Sequence, residues 1–376
     1  MMQPSELKNL TVAIVGAGYG GAAAAKALSL LGVDVTVYEQ AREIREVGAG
    51  IGLRPATVDR FRRWGMFDQI AAVTSASDAF EILTGEGHVI MKEEWPGIDD
   101  FEVRTKTHLI HRGDFIETLV AALPEGVLQV GRKVTGIEDR GDRATLTFSD
   151  GETVTADLVI AADGIKSAIR EQLFTAAQPV FAGEHAYRIV IDADDAHGLV
   201  VDDNLRMYIG HGTKVYFLPL RHRGQVSFDI TTLHHDSAWA PTITRDELVA
   251  TVQGFDERIV RITEELDMDA LVNRACYDID AVEQWHTDAV VLLGDAAHAM
   301  LHHQGQGANS AIMDAGAIAD ALQEAGSVKE ALALYQSRRK PETDKLQAIS
   351  RQGWSEDELS EVFPGQRPES QQAAAR

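Results

Sequence analysis

Residues 11–39 read TVAIVGAGYGGAAAAKALSLLGVDVTVYE, and the fold follows from how this stretch must lie. Val12, Ile14 and Val15 make a short, nearly continuous apolar run of the kind a strand buried on both faces needs. Gly16-Ala17-Gly18-Tyr19-Gly20-Gly21 follows, then an alanine-rich helix to Leu31, a turn at Gly32, and a second strand over 33–38 that ends in Glu39. The glycines have mechanical reasons. Gly16 permits a tight turn off the strand, Gly18 lets the backbone approach a pyrophosphate, and Gly21 lets helix and strand pack closely. The helix N-terminus presents unpaired N–H groups to the phosphates. Glu39 stands where an acid accepts hydrogen bonds from an adenosine ribose, and its charge repels a 2′-phosphate. The expected ligand is therefore FAD or NAD rather than NADP.

A chain of 376 residues suits two domains with sizeable cores. Its 58 acidic against 35 basic residues give a formal charge of −23, which argues against nucleic acid or an anionic membrane as the main partner. No apolar run approaches the length of a membrane span, and the chain reads as cytoplasmic. Cys276 is the only cysteine, which excludes an internal disulfide framework and a cysteine-based metal site.

Beyond Glu39, Gly48, Gly50 and Gly52 read as a second flexible loop able to close over a cofactor, ahead of a helix with apolar Val58, Phe61 and Met66. Arg54 at that helix start reaches a pyrophosphate or a nicotinamide nucleotide, or simply faces solvent. AFEILT and HVIMKE, separated by Gly85-Glu86-Gly87, read as a hairpin. LIHRGDFIETLVAAL turns from strand to amphipathic helix at Arg112, where the arginine meets a diphosphate or ribityl chain. The strand over 158–161 ends in Asp163-Gly164, and Asp163 is a candidate acceptor from a ribityl hydroxyl, although a DG after a strand is also an ordinary turn. Segments between 181 and 232 alternate with period two and read as a sheet that roofs a pocket. Residues 245–271 read as helical, with apolar positions used in core packing. Residues 288–295 form another buried strand ending in Gly294-Asp295, before a helix expected from about Gly307 to Leu322.

Three signatures thus stand in order: GAGYGG with Glu39, DLVIAADGIKSAIR, and VVLLGDAAHAMLHHQGQGANSAIMDA. Together they resemble the single-component (group A) flavin-dependent aromatic hydroxylases, from residue 11 to about 346. The resemblance implies an α/β fold: a Rossmann-like FAD-binding domain with an inserted β-sheet substrate domain and C-terminal helices. It places the FAD domain at 1–75, 102–178 and 276–325, the substrate domain at 76–101 and 179–275, a C-terminal helix at 326–354 and a flexible tail at 355–376. Carried over by position, Gly16, Gly18, Gly21 and Glu39 would bind the ADP half of FAD, with Gly50 in the loop closing over it. Arg112 would contact its middle, Asp163 matches the acid of the DG motif that the family associates with FAD and nicotinamide nucleotide, Asp295 would hold the ribityl chain, and Gly305, Gly307, Ala308 and Asn309 would face the pyrimidine side of the ring. The implied activity is monooxygenation: NADH or NADPH as transient co-substrate, O2, and oxygen transfer from a flavin C4a-hydroperoxide to a small electron-rich aromatic or N-heteroaromatic ring, by a monomer or homodimer. A flavin halogenase or reductase, and a non-catalytic protein like the GDP-dissociation inhibitors, share the fold. None of the five tryptophans forms the paired segment expected of a halogenase.

One departure stands out. Family members usually carry proline three residues before the GQG glycine, where this chain has His302, followed by His303. His302 or His303 is a candidate acid or base setting substrate ionisation, since imidazole titrates near neutrality. His298 reads as structural, and no metal is expected because no carboxylate stands at ligand spacing. On the inserted sheet, Arg188 is a candidate partner for a carboxylate or phenolate, and Tyr187, Tyr208, Tyr216 and His211 are candidate ring contacts. Alternation forbids Tyr187 and Arg188 from facing the same side.

Overall fold

A computed structural model describes residues 2–44, 49–94 and 106–352. Gly48 and the tail at 355–376 lie outside the described residues. The apolar runs of the sequence assemble a five-stranded parallel sheet in the order Val290–Leu292, Leu158–Ala161, Thr11–Val15, Asp34–Glu39, Leu128–Val130. The strands Val290–Leu292, Leu158–Ala161 and Thr11–Val15 are buried almost throughout, as near-continuous Val, Ile, Leu and Ala runs require. Because all five run the same way, the turns after Val15, Ala161 and Leu292 emerge at one edge. The three signatures, spread over the chain, meet there.

Close packing behind this edge depends on small residues. Helix Tyr19–Leu30 lies against helix Gly307–Glu324, and a Cβ on Gly20 would come within 2.4 Å of Leu293 Cδ2. Helix Gly307–Glu324 also carries Asp314, fully buried, whose carboxylate accepts from His298 at 2.6 Å, Arg339 at 2.7 Å and the Gly294 N–H at 3.1 Å. Burial opposes its charge, but His298 and Arg339 outweigh that and hold its pKa low. His298 is thus structural, as its sequence context suggested, and the cluster fixes the Gly294-Asp295 turn.

A seven-stranded sheet faces the same edge, ordered Val272–Asp278, Val180–Asp192, Gln225–Leu233, Thr213–Leu220, Leu205–Gly210, Ala79–Thr84, Val89–Glu94. It is antiparallel except between Leu205–Gly210 and Ala79–Thr84. Val215, Phe217, Val226, Phe228 and Ile230 pack on Leu248 of helix Arg245–Thr251 and Val252 just after it, and on Ile259 and Ile262 of helix Glu257–Glu265. With that face committed to helices, the alternate residues Lys214, Tyr216, Leu218, Ser227, Asp229 and Thr231 turn toward the parallel sheet. The strand Val272–Asp278 crosses the expected boundary at 275/276.

The expected flexible loop at 48–52 is corrected over its described part: Gly50–Leu53 is a strand, paired with Thr107–His111, which also pairs with Thr74–Ser77. The apolar faces of the following helices, Pro55–Arg63 and Arg112–Ala121, are buried at Val58, Phe61, Phe115 and Leu119. The last described element is a long helix, Val328–Gln352. No helix among the described residues is long and apolar enough to cross a membrane.

Candidate active site

Between the parallel sheet's edge and the seven-stranded roof lies a cavity of about 460 Å³. Its floor is the glycine turn. Gly16, at φ +97°, turns the chain where a Cβ would lie 2.3 Å from Ala162 O, and a Cβ on Gly21 would lie 2.0 Å from Gly16 O. Gly18 differs: a Cβ there meets no protein atom within 4 Å, because Gly18 lines the cavity. A bound group can therefore reach the backbone at the start of helix Tyr19–Leu30, whose first N–H groups lack intrahelical partners.

The cavity is lined as well by Arg112, Asp295, Gly305, Gly307 and Ala308. Arg112 opens helix Arg112–Ala121 and lies over the Tyr19 ring, 5.6 Å from its centroid. Asp295 is exposed to the cavity yet walled by protein. That desolvation raises its carboxyl pKa against the opposing charges of His298, Arg112 and Arg170. Helix Gly307–Glu324 points its N-terminus at the cavity, so the first amides bring partial positive charge there.

Other expected cofactor contacts also bond within the protein. Glu39 accepts the N–H groups of Ala17 and Ala41, both at 2.8 Å, and braces the glycine turn from behind. Asp163 sits behind lining residues Ala162 and Gly164, where its Oδ2 accepts from Ile169 N–H at the start of helix Ala168–Leu173. Its Oδ1 is buried with no partner among the described residues, and burial raises its pKa. Asn309 is buried and spends its whole amide internally: Oδ1 accepts from Arg54 N–H and Thr57 Oγ1, and Nδ2 donates to the carbonyls of Gly52 and Gly305. Gly50 lines the cavity and donates its N–H to Ser227 Oγ at 2.7 Å, joining floor to roof. Arg54 lines the cavity as the residue preceding helix Pro55–Arg63.

On the roof, Arg188 and Tyr216 line the cavity as expected, with Asp229 between them. Arg188 Nε donates to Asp229 Oδ2 at 2.5 Å, and Thr231 Oγ1 donates to Asp229 Oδ1 at 3.0 Å. The Tyr216 hydroxyl is buried with no partner among the described residues, and burial raises its pKa well above 10. Three further ring-contact candidates lie elsewhere. Tyr187 and Tyr208 belong to the helix-covered face of the sheet, and His211 sits at an exposed hairpin tip with φ 50°. The alternation that brings Arg188 in sends Tyr187 out.

His302 and His303 both line the cavity, on a short turn before Gly305, yet their ring nitrogens are engaged. Thr231 gives its proton to Asp229, so it must accept from His302 Nε2, 3.0 Å away. His302 is then neutral with Nδ1 bare, facing the thiol of Cys276 at 3.8 Å. Burial, helped by Arg188, His303 and Lys214, lowers its pKa well below 6.5. For Cys276, burial raises the pKa to about 12, which keeps the thiol protonated. His303 Nδ1 bonds the Ser350 carbonyl at 3.0 Å and Nε2 bonds Glu184 Oε2 at 2.6 Å, with Lys214 Nζ 2.9 Å from Glu184 Oε1. In this arrangement neither imidazole offers a free nitrogen to the cavity.

The residues missed by sequence are Ser227, Asp229 and Thr231. They form a period-two polar stripe in QVSFDIT whose apolar partners Val226, Phe228 and Ile230 face helices. In isolation such a stripe reads as a solvent face. Only the strand's central place in the roof turns it inward.

The fit to a dinucleotide flavin is direct. Gly18 leaves a cradle that a Cβ would fill, and Arg112, Asp295 and the start of helix Gly307–Glu324 supply a cation, an acceptor and amide donors around one cavity. Comparison with known proteins agrees. The FAD binding domain family model matches residues 9–350. The 6-hydroxynicotinate 3-monooxygenase of Pseudomonas fluorescens is 33% identical over 363 residues, covering 90% of this chain and 90% of that enzyme. Salicylate hydroxylase of Pseudomonas putida is 32% identical, covering 94% of this chain and 86% of its own. Among solved structures, Klebsiella pneumoniae HpxO complexed with FAD and uric acid superposes with a TM-score of 0.83 at 25% identity, over 91% of this chain and 87% of that one.

Proposed function

The chain belongs to the FAD binding domain family of flavin-dependent aromatic hydroxylases, and from that membership we propose that it spends NADH or NADPH and O2 to hydroxylate a small electron-rich aromatic or N-heteroaromatic ring held beneath the roof sheet. FAD supplies the two-electron redox chemistry and the activation of O2. The relatives support oxygenation over the halogenase, reductase and binding-protein alternatives. The FAD-binding part would comprise 1–75, 102–178 and 276–325, and the substrate-binding part 76–101 and 179–275, except that the whole strand Val272–Asp278 goes with the substrate-binding sheet.

The cavity's two walls divide the work. Gly18, Arg112, Asp295 and the first amides of helix Gly307–Glu324 would hold FAD, the helix start favouring negative charge on the group bound there. The apolar side chains of Phe80, Leu205, Leu218 and Met300 sit among the polar roof groups and make a dry slot for a ring. Arg188 and Tyr216 would touch the ring's substituents. His302 would act through Thr231 and Asp229, holding them in place and exchanging no proton with the ring.

The observation that carries this reading is the buried, unpartnered Tyr216 hydroxyl in the same cavity as the flavin wall. A buried polar group is expected to have a partner, and a ring hydroxyl or ring nitrogen of the substrate supplies one. The test is anaerobic flavin reduction by NADH and by NADPH across phenols, salicylates, anthranilates and hydroxypyridines, followed by product analysis under 18O2. The expected result is one ring class that accelerates reduction and gains one labelled oxygen. Tyr216→Phe should lower kcat/KM for that ring by about tenfold. Coloured holoenzyme that reduces without any ring yielding labelled product would defeat the reading.

A further inference from the structure

The polar face of the roof is one row across three strands. Arg188 lies opposite Asp229 and Asp229 opposite Tyr216 in the register, so the three side chains leave the sheet on the same face. Asp229 receives Arg188 Nε on one oxygen and the Thr231 hydroxyl on the other, which leaves a further lone pair on each. The two Nη groups of Arg188 have no hydrogen-bond partner among the described residues.

A guanidinium standing alone in a cavity is a receptor for a carboxylate. Arg188 does not stand alone. Its charge is balanced by Asp229, and the two side chains are only 18% and 11% exposed, so water does little to screen one from the other. A ligand carboxylate brought to Arg188 meets a second carboxylate beside it. What the pair does offer is a donor next to an acceptor, and its complement is an acceptor next to a donor. The O=C–N–H edge of a cyclic amide has that form, and 2-hydroxypyridines and oxopurines carry it as their lactam tautomers. Each hydrogen bond is then charge-assisted with no net charge buried.

We propose that the Arg188–Asp229 pair is the specificity element of this cavity and selects rings with a lactam edge over rings recognised through a carboxylate. The inference rests on the aromatic-oxygenase reading and narrows it to hydroxylated N-heteroaromatics. Tyr216, next in the row, bonds a further ring atom.

The test is equilibrium binding to the oxidised holoenzyme, read from perturbation of the flavin spectrum. Four probes separate the two features: 2-hydroxypyridine (lactam only), 6-hydroxynicotinate (both), nicotinate and salicylate (carboxylate without lactam). The expected result is 2-hydroxypyridine within about threefold of 6-hydroxynicotinate, with nicotinate and salicylate at least about tenfold weaker. Asp229→Asn uncovers the arginine charge and should tighten nicotinate about tenfold while weakening 2-hydroxypyridine. Nicotinate or salicylate binding as tightly as 6-hydroxynicotinate overturns the proposal, as does failure of both lactams to bind. The wild-type ratios decide even if the variant does not fold. Because the readout is binding, the two readings fail separately. A lactam bound but never hydroxylated sinks the oxygenase reading alone, and a carboxylated benzene hydroxylated without lactam binding sinks this one alone.

Discussion

At the scale of single residues, two glycines of one motif should respond in opposite ways. Gly21 is closed by protein: a Cβ there would stand 2.0 Å from Gly16 O, a backbone atom that cannot yield. Gly21→Ala should cost about 3 kcal/mol or more and lower the Tm with or without FAD. Gly18 is open to the cavity, and its φ of −67° suits any residue. Gly18→Val should therefore fold, with an unchanged apo Tm, and lose FAD by about tenfold or more in Kd. Equal loss of stability in both variants would show that Gly18 is structural too. His302 supplies a second residue-scale prediction. Its pKa is lowered below 6.5 in the folded chain, so it stays neutral through the working range, and the pH profile of kcat/KM should show no ionisation that His302→Gln removes. For stability the sign is fixed. Unfolded chains gain a proton on this side chain as pH falls below about 6.5 and the folded chain does not, so stability declines on that side. His302→Gln should remove that part of the decline, measured by urea unfolding at pH 7 and 5.5.

At the scale of elements, Asn309 shows how a helix is aimed. Its amide ties the start of helix Gly307–Glu324 to the strand Gly50–Leu53, to the start of helix Pro55–Arg63 and to the Gly305 carbonyl. Asn309→Ala leaves these buried groups unpaired and should cost about 2–3 kcal/mol. Asn309→Asp should cost more, because it sets a carboxylate oxygen against two carbonyls. Differential scanning fluorimetry with and without FAD would separate lost stability from a misaimed helix: a misaimed helix also reduces the Tm gain on adding FAD. The elements themselves were legible in the sequence. The glycine turn, the Ala79–Thr84 and Val89–Glu94 hairpin, the strand-to-helix switch at Arg112 and the helix from Gly307 all rest on local period and turn chemistry. The facing of each element was less legible. Alternation told that Tyr187 and Arg188 point apart without telling which points in, because that depends on helices 245–265 covering one face. Gly50 and Gly52 read as loop because three glycines in five residues are a loop signal, whereas pairing with Thr107–His111 makes them a strand.

At the scale of the whole molecule, Glu184 joins parts that are distant in the chain. It comes from the roof, binds His303 on the cavity floor at 2.6 Å and Lys214 on a second roof strand at 2.9 Å, while His303 reaches the Ser350 carbonyl at the end of helix Val328–Gln352. Nothing local in the sequence announces this cluster, since its members lie at 184, 214, 303 and 350, and His303, singled out as a candidate acid or base, shows no sign there of its partners. Burial raises the Glu184 pKa, but the His303 and Lys214 contacts outweigh it and bring the value down to about 2 from 4.5. The folded chain therefore keeps this carboxylate charged where the unfolded chain protonates it. The linkage corresponds to about 3 kcal/mol, present above pH 4.5 and lost as pH falls toward 2. Glu184→Gln should remove it and leave His303 and Lys214 without a counter-charge, costing about 3–5 kcal/mol at pH 7. Because the cluster connects roof, floor and C-terminal helix, the loss should be global. Urea unfolding followed by flavin release and by far-UV circular dichroism should shift together, and the variant's stability should vary less between pH 5 and 3 than that of the parent. If flavin release shifted while the circular dichroism transition held, the cluster would be a local latch on the cavity, with the roof and floor held together by the apolar cores alone.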